Sequence, residues 1–200
     1  MSFIETLGNQ QAAEEVKAMY RQLQGQRDYL PNYAKVYCYR PRLMQAWAEL
    51  QSCIQETIEH RRFELVTLAA ALALKNSYCS LAHGDLLRRK YYSDAELQAI
   101  VSGDDSNPLN DADQAMMVFA TKLVADSSAI EQSDIDELRR LGFSDAEIFD
   151  IAASASARCF FAKLSDALGV MPDAAFDSMP ESLRELLLVG RAIESRGTGH

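Results

Sequence analysis

The chain of 200 residues is long enough to bury one sizeable core and too short for two full-sized domains. With 29 acidic and 20 basic residues it carries a net charge of −9, which repels nucleic-acid phosphates and anionic lipid surfaces and removes both from the expected partners. Hydrophobic residues at 48% and charged residues at 24% exclude disorder of the whole chain.

The helical pattern begins at Val16, Met19, Tyr20 and Leu23, spaced i, i+3, i+4 and i+7 on one apolar stripe, and Gly25 closes that helix. Pro31-Asn32-Tyr33 reads as a break. Pro41 suits the first turn of the next helix, where its missing N–H needs no partner. Leu43, Ala46, Trp47, Leu50, Cys53, Ile54 and Thr57 then fall on one face. From Arg61 to about Lys75 the chain is apolar all round over Leu65 to Leu72, as in a helix buried on most sides. The longest apolar run, Leu65 to Leu74, is shorter than the ~20 residues of a membrane-spanning helix. Asn76 is expected to cap a further helix reaching about Arg89, because its side chain can accept from the open amides of the first turn.

Ser93 with Glu96, Ser144 with Glu147 and Ser178 with Glu181 have the spacing of capping boxes. Gly142 and Gly169 sit just past periodic segments, as helix-ending glycines do. Asn107-Pro108-Leu109-Asn110 reads as a loop, and Ala115, Val118, Phe119 and Leu123 as the stripe of the helix after it. No stretch alternates with period two, so no strand is expected. The expectation is an all-α helical bundle: one domain over 1–194, a core helix pair at 61–90, and a frayed tail at 195–200. Glu64 through Cys79 and His83 can be laid over Glu147 through Ala162 and Asp166 without gaps. That is a weak internal helix-pair repeat, whose related second half (110–170) lacks the reactive side chains.

The opening Met1-Ser2-Phe3-Ile4-Glu5 shows no signal-peptide pattern, so a cytoplasmic chain with reduced thiols is expected. Cys38, Cys53 and Cys159 read as packing. Cys79 and His83 stand at i and i+4, which puts them on one helix face, so that the imidazole can take or return the thiol proton. With Asn76 as cap, Cys79 lies in the positive first turn, and both effects favour the nucleophilic thiolate. Glu64 enters the preceding buried helix, and a carboxylate there needs a partner. Paired with His83 it would hold the imidazole or relay a proton. One Cys and one His fall short of a metal site, and no phosphate-binding or flavin motif occurs, so no metal and no tightly bound cofactor are expected. His60-Arg61-Arg62 and Arg88-Arg89-Lys90 read as solvated helix ends.

Arg61-x-x-Glu64 entering an Ala-rich helix, with Cys79 and His83 at these offsets, resembles the core of the alkylhydroperoxidase D-like (carboxymuconolactone decarboxylase) family. That family's motif is Glu followed by Cys-x-x-Cys-x-x-x-His. Leu30-Pro31-Asn32 with Tyr39-Arg40-Pro41-Arg42-Leu43, then Leu141 to Ile148 and Leu164 to Val170, extend the resemblance to the family's peroxidase-related branch over roughly residues 15–175. The resemblance implies a thiol-dependent alkyl hydroperoxidase-like oxidoreductase, with Cys79 as nucleophile, His83 as base or acid and Glu64 as orienting or relay group. Asn76 and Tyr78 support them. A small-molecule peroxide, an external thiol reductant and a homo-oligomer (trimer, dimer or hexamer) complete what it implies.

One departure stands out: Asn76 occupies the position of the family's first cysteine, so no disulfide can join positions 76 and 79. On the repeat overlay Cys159 falls opposite Asn76, which makes it a resolving thiol only if the two Cα atoms come within about 7 Å. Two other readings remain open. One is a carboxymuconolactone decarboxylase-type lyase using Glu64 and His83. The other is a non-catalytic oligomer that binds a small molecule or a partner.

Overall fold

In the computed structural model, residues 2–8, 10–25 and 29–195 are described. The tail expected at 195–200 lies outside them apart from Ser195. Among the described residues there is no strand, and no helix is long and apolar enough to cross a membrane. The helices are α1 (Glu14–Gly25), α2 (Asn32–Val36), α3 (Pro41–Gln55), α4 (His60–Ala73), α5 (Ser77–Lys90), α6 (Asp94–Ser102), α7 (Asp111–Ala125), α8 (Gln132–Arg140), α9 (Asp145–Ala167) and α10 (Glu181–Leu187).

Helix α4 is the axis of the bundle. It packs against α5, α7 and α9, and Phe63 through Ala71 are buried without a break. A helix covered on so many sides cannot be amphipathic, which explains its uniform apolar middle. Glu59 caps it by accepting from the amides of Arg61 and Arg62.

Two local devices turn the chain from α4 into α5. Lys75 adopts a left-handed conformation (φ 54°), and the amides of Lys75 and Asn76 reach back to Leu72 O and Ala71 O, both at 3.0 Å. Asn76 then caps α5 as expected, accepting from the Cys79 amide at 2.8 Å. Helix α10 closes over the far side of α5. The Ser80 hydroxyl donates to Leu187 O at 2.5 Å. A Cβ on Gly84 would meet the end of the Leu187 side chain at 2.6 Å, so a larger residue there would make that side chain shift.

Several expectations shift against the structure. Pro31 does not simply break the chain; it precedes the short helix α2. The buried stripe of α3 is Met44, Trp47 and Ile54, with Gln51 between them half-buried, while Leu43, Ala46, Leu50 and Cys53 are exposed. Trp47 and Ile54 of the expected face are buried, but the polar Gln51 interrupts the apolar pattern and draws the rest of the reading to exposed positions. In α7 the buried set is Asp113, Met116, Phe119 and Ala120, and Val118 is exposed, for the same reason: a buried acid occupies the first position of the true stripe.

The boxes at Ser93 and Ser144 form, but the one at Ser178 does not. Met179 precedes a proline and is held extended (ψ 151°), so the helix starts at Glu181 and Ser178 ends a 3-10 turn instead. The two overlaid stretches also differ. The first is two helices with a corner at Lys75-Asn76; the second is the single 23-residue helix α9, unbroken through Arg158-Cys159.

Candidate active site

Helices α4, α5 and α9 bring the candidate residues together. Glu64 is on the second turn of α4, at 2% exposure, and faces the His83 ring on α5. His83 Nδ1 donates to Glu64 Oε2 at 2.6 Å. A carboxylate can only accept, so Nδ1 carries a proton, and Nε2 is the ring nitrogen left to gain or lose one. Thr67 Oγ1, one turn further along α4, is 3.2 Å from the same Nδ1. The Glu64–His83 pair expected from the sequence is therefore present.

Glu64 also has a second imidazole. His60 Nε2 is 3.7 Å from Glu64 Oε1, and His60 Nδ1 is 2.8 Å from the Tyr91 hydroxyl. His60 and Tyr91 are both exposed to solvent, so a line of titratable groups runs from the surface to His83. Burial pushes the Glu64 carboxyl up. The charge and hydrogen bond of His83 and the charges of His60 and Arg158 outweigh it and leave the acid below the usual carboxylate value.

Cys79 lies in the first turn of α5, at 1% exposure. The expectation of a readily formed thiolate is corrected here. Burial pushes the thiol pKa up; the Arg158 guanidinium pulls it down by charge and hydrogen bond; Asp166 pushes it up again, and the net shift is upward. The helix start does not compensate for removal from water, because desolvation acts on the whole charge and the helix end supplies only a partial one.

Arg158 is the residue that sequence reasoning missed. It reaches from α9 and donates from Nη1 to Cys79 Sγ at 3.6 Å and from Nη2 to Gln51 Oε1 at 3.3 Å. Its guanidinium carbon stands 5.7 Å from the Trp47 ring centroid and 5.6 Å from that of Phe161. The signal lay in the spacing of α9. Ile151, Ala155, Arg158, Ala162 and Ser165 share a buried face, and an arginine on such a face needs a specific partner.

Asn76 holds the corner rather than a thiol: besides capping α5 it donates from Nδ2 to Ala162 O at 3.3 Å, tying α9 to the start of α5. The Tyr78 hydroxyl donates to Asp173, which also accepts from the Asn32 amide at 2.7 Å. Tyr78 thus anchors the start of α5 to the chain on either side of the bundle. All four cysteines are free, and Cys159 Sγ points to Ala155 O at 3.5 Å. Among the described residues no group of three or more His, Cys, Asp or Glu side chains is placed to hold a metal ion.

No family model and no curated protein matches the chain. Solved structures do. A peroxidase-related protein from Ralstonia eutropha with an alkylhydroperoxidase AhpD core superposes with a TM-score of 0.78 at 20% identity, over 89% of this chain and 95% of the other. A peroxidase-related protein from Silicibacter sp. TM1040 gives 0.74 at 23% identity, over 84% and 89%. The debrominase Bmp8 gives 0.73 at 20% identity, over 90% and 96%; a cysteine-to-alanine variant of it was solved in complex with 2,3,4-tribromopyrrole. At these identities the likeness is one of fold. The chain has the alkylhydroperoxidase D-like, all-helical architecture.

Proposed function

We propose that this chain is a thiol-dependent, peroxidase-like oxidoreductase with a single reactive cysteine, Cys79. The observation that supports it most is the Arg158 guanidinium 3.6 Å from the buried Cys79 thiol, with His83, one turn further along the same helix, hydrogen-bonded to the buried Glu64. His83 Nε2 takes the Cys79 proton, and Arg158 stabilises the thiolate that results. The thiolate attacks the distal oxygen of an organic hydroperoxide. An S–O bond forms and the O–O bond breaks. The leaving alkoxide takes the proton back from His83 and departs as an alcohol, leaving a sulfenic acid on Cys79. An external thiol then attacks that sulfur, water leaves, and a mixed disulfide forms. A second thiol displaces it as a disulfide and returns Cys79. No thiol stands at position 76, so the reductant comes from outside this helix corner.

The test is the reaction of reduced protein with one equivalent of alkyl hydroperoxide, followed by intact mass and peptide mapping. Selective sulfenic acid at Cys79, absent in Cys79→Ser, is expected. Peroxide turnover that survives Cys79→Ser would sink the reading.

A second reading uses the same thiol on another substrate. The fold is shared with a debrominase whose cysteine variant holds a brominated pyrrole, and here Trp47 and Phe161 provide flat walls beside Arg158. Thiol-dependent loss of bromide from a brominated pyrrole, without peroxide turnover, would favour it. A lyase acting on lactones needs only Glu64 and His83, and its activity would survive Cys79→Ser and be lost in His83→Gln.

A further inference from the structure

Arg158 is a buried cation without a carboxylate partner. It is 5% exposed, and no Asp or Glu among the described residues forms an ion pair with it. Leaving such a charge uncompensated away from water is costly, so a counter-ion or a ligand is expected where it sits. Glu64, the carboxylate that feels its charge, is already held by His83 and His60. The Cys79 thiol, kept protonated by its burial, is not a standing counter-ion.

The free valences of the guanidinium are specific. Nη1 is used by Cys79. Nη2 has only a 3.3 Å bond to Gln51, and Nε has no partner at all. Nε and Nη2 carry the parallel N–H groups through which an arginine grips a carboxylate side-on. Close by, the Tyr37 hydroxyl is also buried and without a hydrogen-bond partner, and its ionisation responds to both Cys79 and Arg158. Tyr37 has a second face. With Val36, Tyr39, Arg40, Leu43, Leu164 and Leu168 it lines a mostly apolar groove of about 330 Å³, a volume in the range of small-ligand sites.

We propose that Arg158 is the anion-binding residue of a substrate site whose ligand is a small amphipathic acid. The carboxylate is gripped by Nε and Nη2 in place of Gln51, and the apolar body runs past Tyr37 into the groove. The inference rests on the peroxidase reading for its chemistry: the substrate is then an organic hydroperoxide that also carries a carboxylate, held so that the peroxide meets Cys79 Sγ. Binding of the acid by itself does not need that chemistry.

Trp47 is the only tryptophan, and it lies against Arg158, so its fluorescence reports on the site. The experiment titrates wild type and Cys79→Ser with octanoate and phenylacetate, and with octanamide and phenylacetamide as neutral isosteres. A saturable change is expected with the acids, with the amides at least about tenfold weaker. Arg158→Met removes the acid preference, and Arg158→Lys keeps it at reduced affinity because a charge without the fork remains. Circular dichroism melts check that each variant is folded. Should Arg158→Met not fold, the wild type decides: acids, and not amides, must slow alkylation of Cys79 by iodoacetamide.

Equal binding of acids and amides, no acid binding to wild type, or undiminished acid preference in Arg158→Met overturns the proposal. Acid binding without any Cys79 oxidation leaves the anion site standing and sinks the peroxidase reading. Cys79 oxidation without acid binding sinks this inference alone.

Discussion

Two buried carboxylates sit at the helix ends around α4, and they differ in the cations they face. Asp113, in the first turn of α7, accepts from Arg61 Nη2 at 2.8 Å and from Arg62 Nε at 3.0 Å. Glu64, one helical turn from His60 and Arg61, faces His83 at 2.6 Å and His60 at 3.7 Å. Both acids are equally hidden from water. Arginine does not release its proton in a protein, so the Asp113 cluster is a fixed clamp between α4 and α7. Histidine titrates near neutrality, so the Glu64 cluster can hold or pass a proton. Burial of a carboxylate does not tell a structural acid from a reactive one; the acidity of its partner does.

The largest expected effect would come from opening the clamp. Asp113→Asn is expected to lower stability by about 3 kcal/mol, at the low end for a broken buried pair because both guanidinium groups keep some contact with water. That corresponds to a melting temperature lower by roughly 6–12 °C. The rate of Cys79 oxidation per folded molecule should not change. Calorimetry and a single-turnover peroxide assay check both halves, and a large rate loss would merge the two clusters into one functional unit.

Glu64→Gln should reverse the pattern. The rate of Cys79 oxidation is expected to fall about 100-fold, within the range of a lost acid–base group. The stability loss should be only about 1 kcal/mol, because a glutamine amide oxygen can still accept from His83 Nδ1. Equal stability losses in Asp113→Asn and Glu64→Gln at pH 7 would erase the contrast.

Acid sharpens it further. The Glu64 carboxyl is depressed below its ordinary 4.5 in the folded protein. A group lowered on folding adds stability above its unfolded value and loses it as pH falls through the folded one. The stability gap between wild type and Glu64→Gln should therefore be fully present at pH 6 and shrink as pH drops below about 4.5. Urea titrations at pH 6 and pH 3.5 measure this; a gap that widens in acid contradicts the sign.

His60→Gln should have the smallest effect on stability, under about 0.5 kcal/mol for an exposed side chain with a long contact. The change to watch is in the pH dependence of Cys79 oxidation, since His60 joins Glu64 to solvent. An unaltered pH profile would limit the titratable cluster to Glu64 and His83.

Much of this was legible in the sequence because it is local. The Asn76 cap, the boxes at Ser93 and Ser144, Pro41 in a first turn and the glycines at 142 and 169 are each decided by neighbours within a few residues, where backbone hydrogen bonding alone sets the outcome. The pairing of Glu64 with His83 was also within reach, since a buried acid and an i, i+4 partner to Cys79 lie on consecutive helices. Stripes containing a buried polar residue were misread. Gln51 and Asp113 each occupy a core-facing position that hydrophobic periodicity counts as surface.

Only the tertiary structure decided what surrounds the thiol. Arg158 meets Cys79 across a separation of 79 residues, and Gln51 meets Arg158 across 107. Helical periodicity says which residues share a face of one helix, and nothing about which face of another helix it will meet. The state of Cys79 follows the same division: its place at a helix start was written locally, but the burial that raises its pKa comes from the packing of the bundle, and the guanidinium that opposes it reaches over from α9.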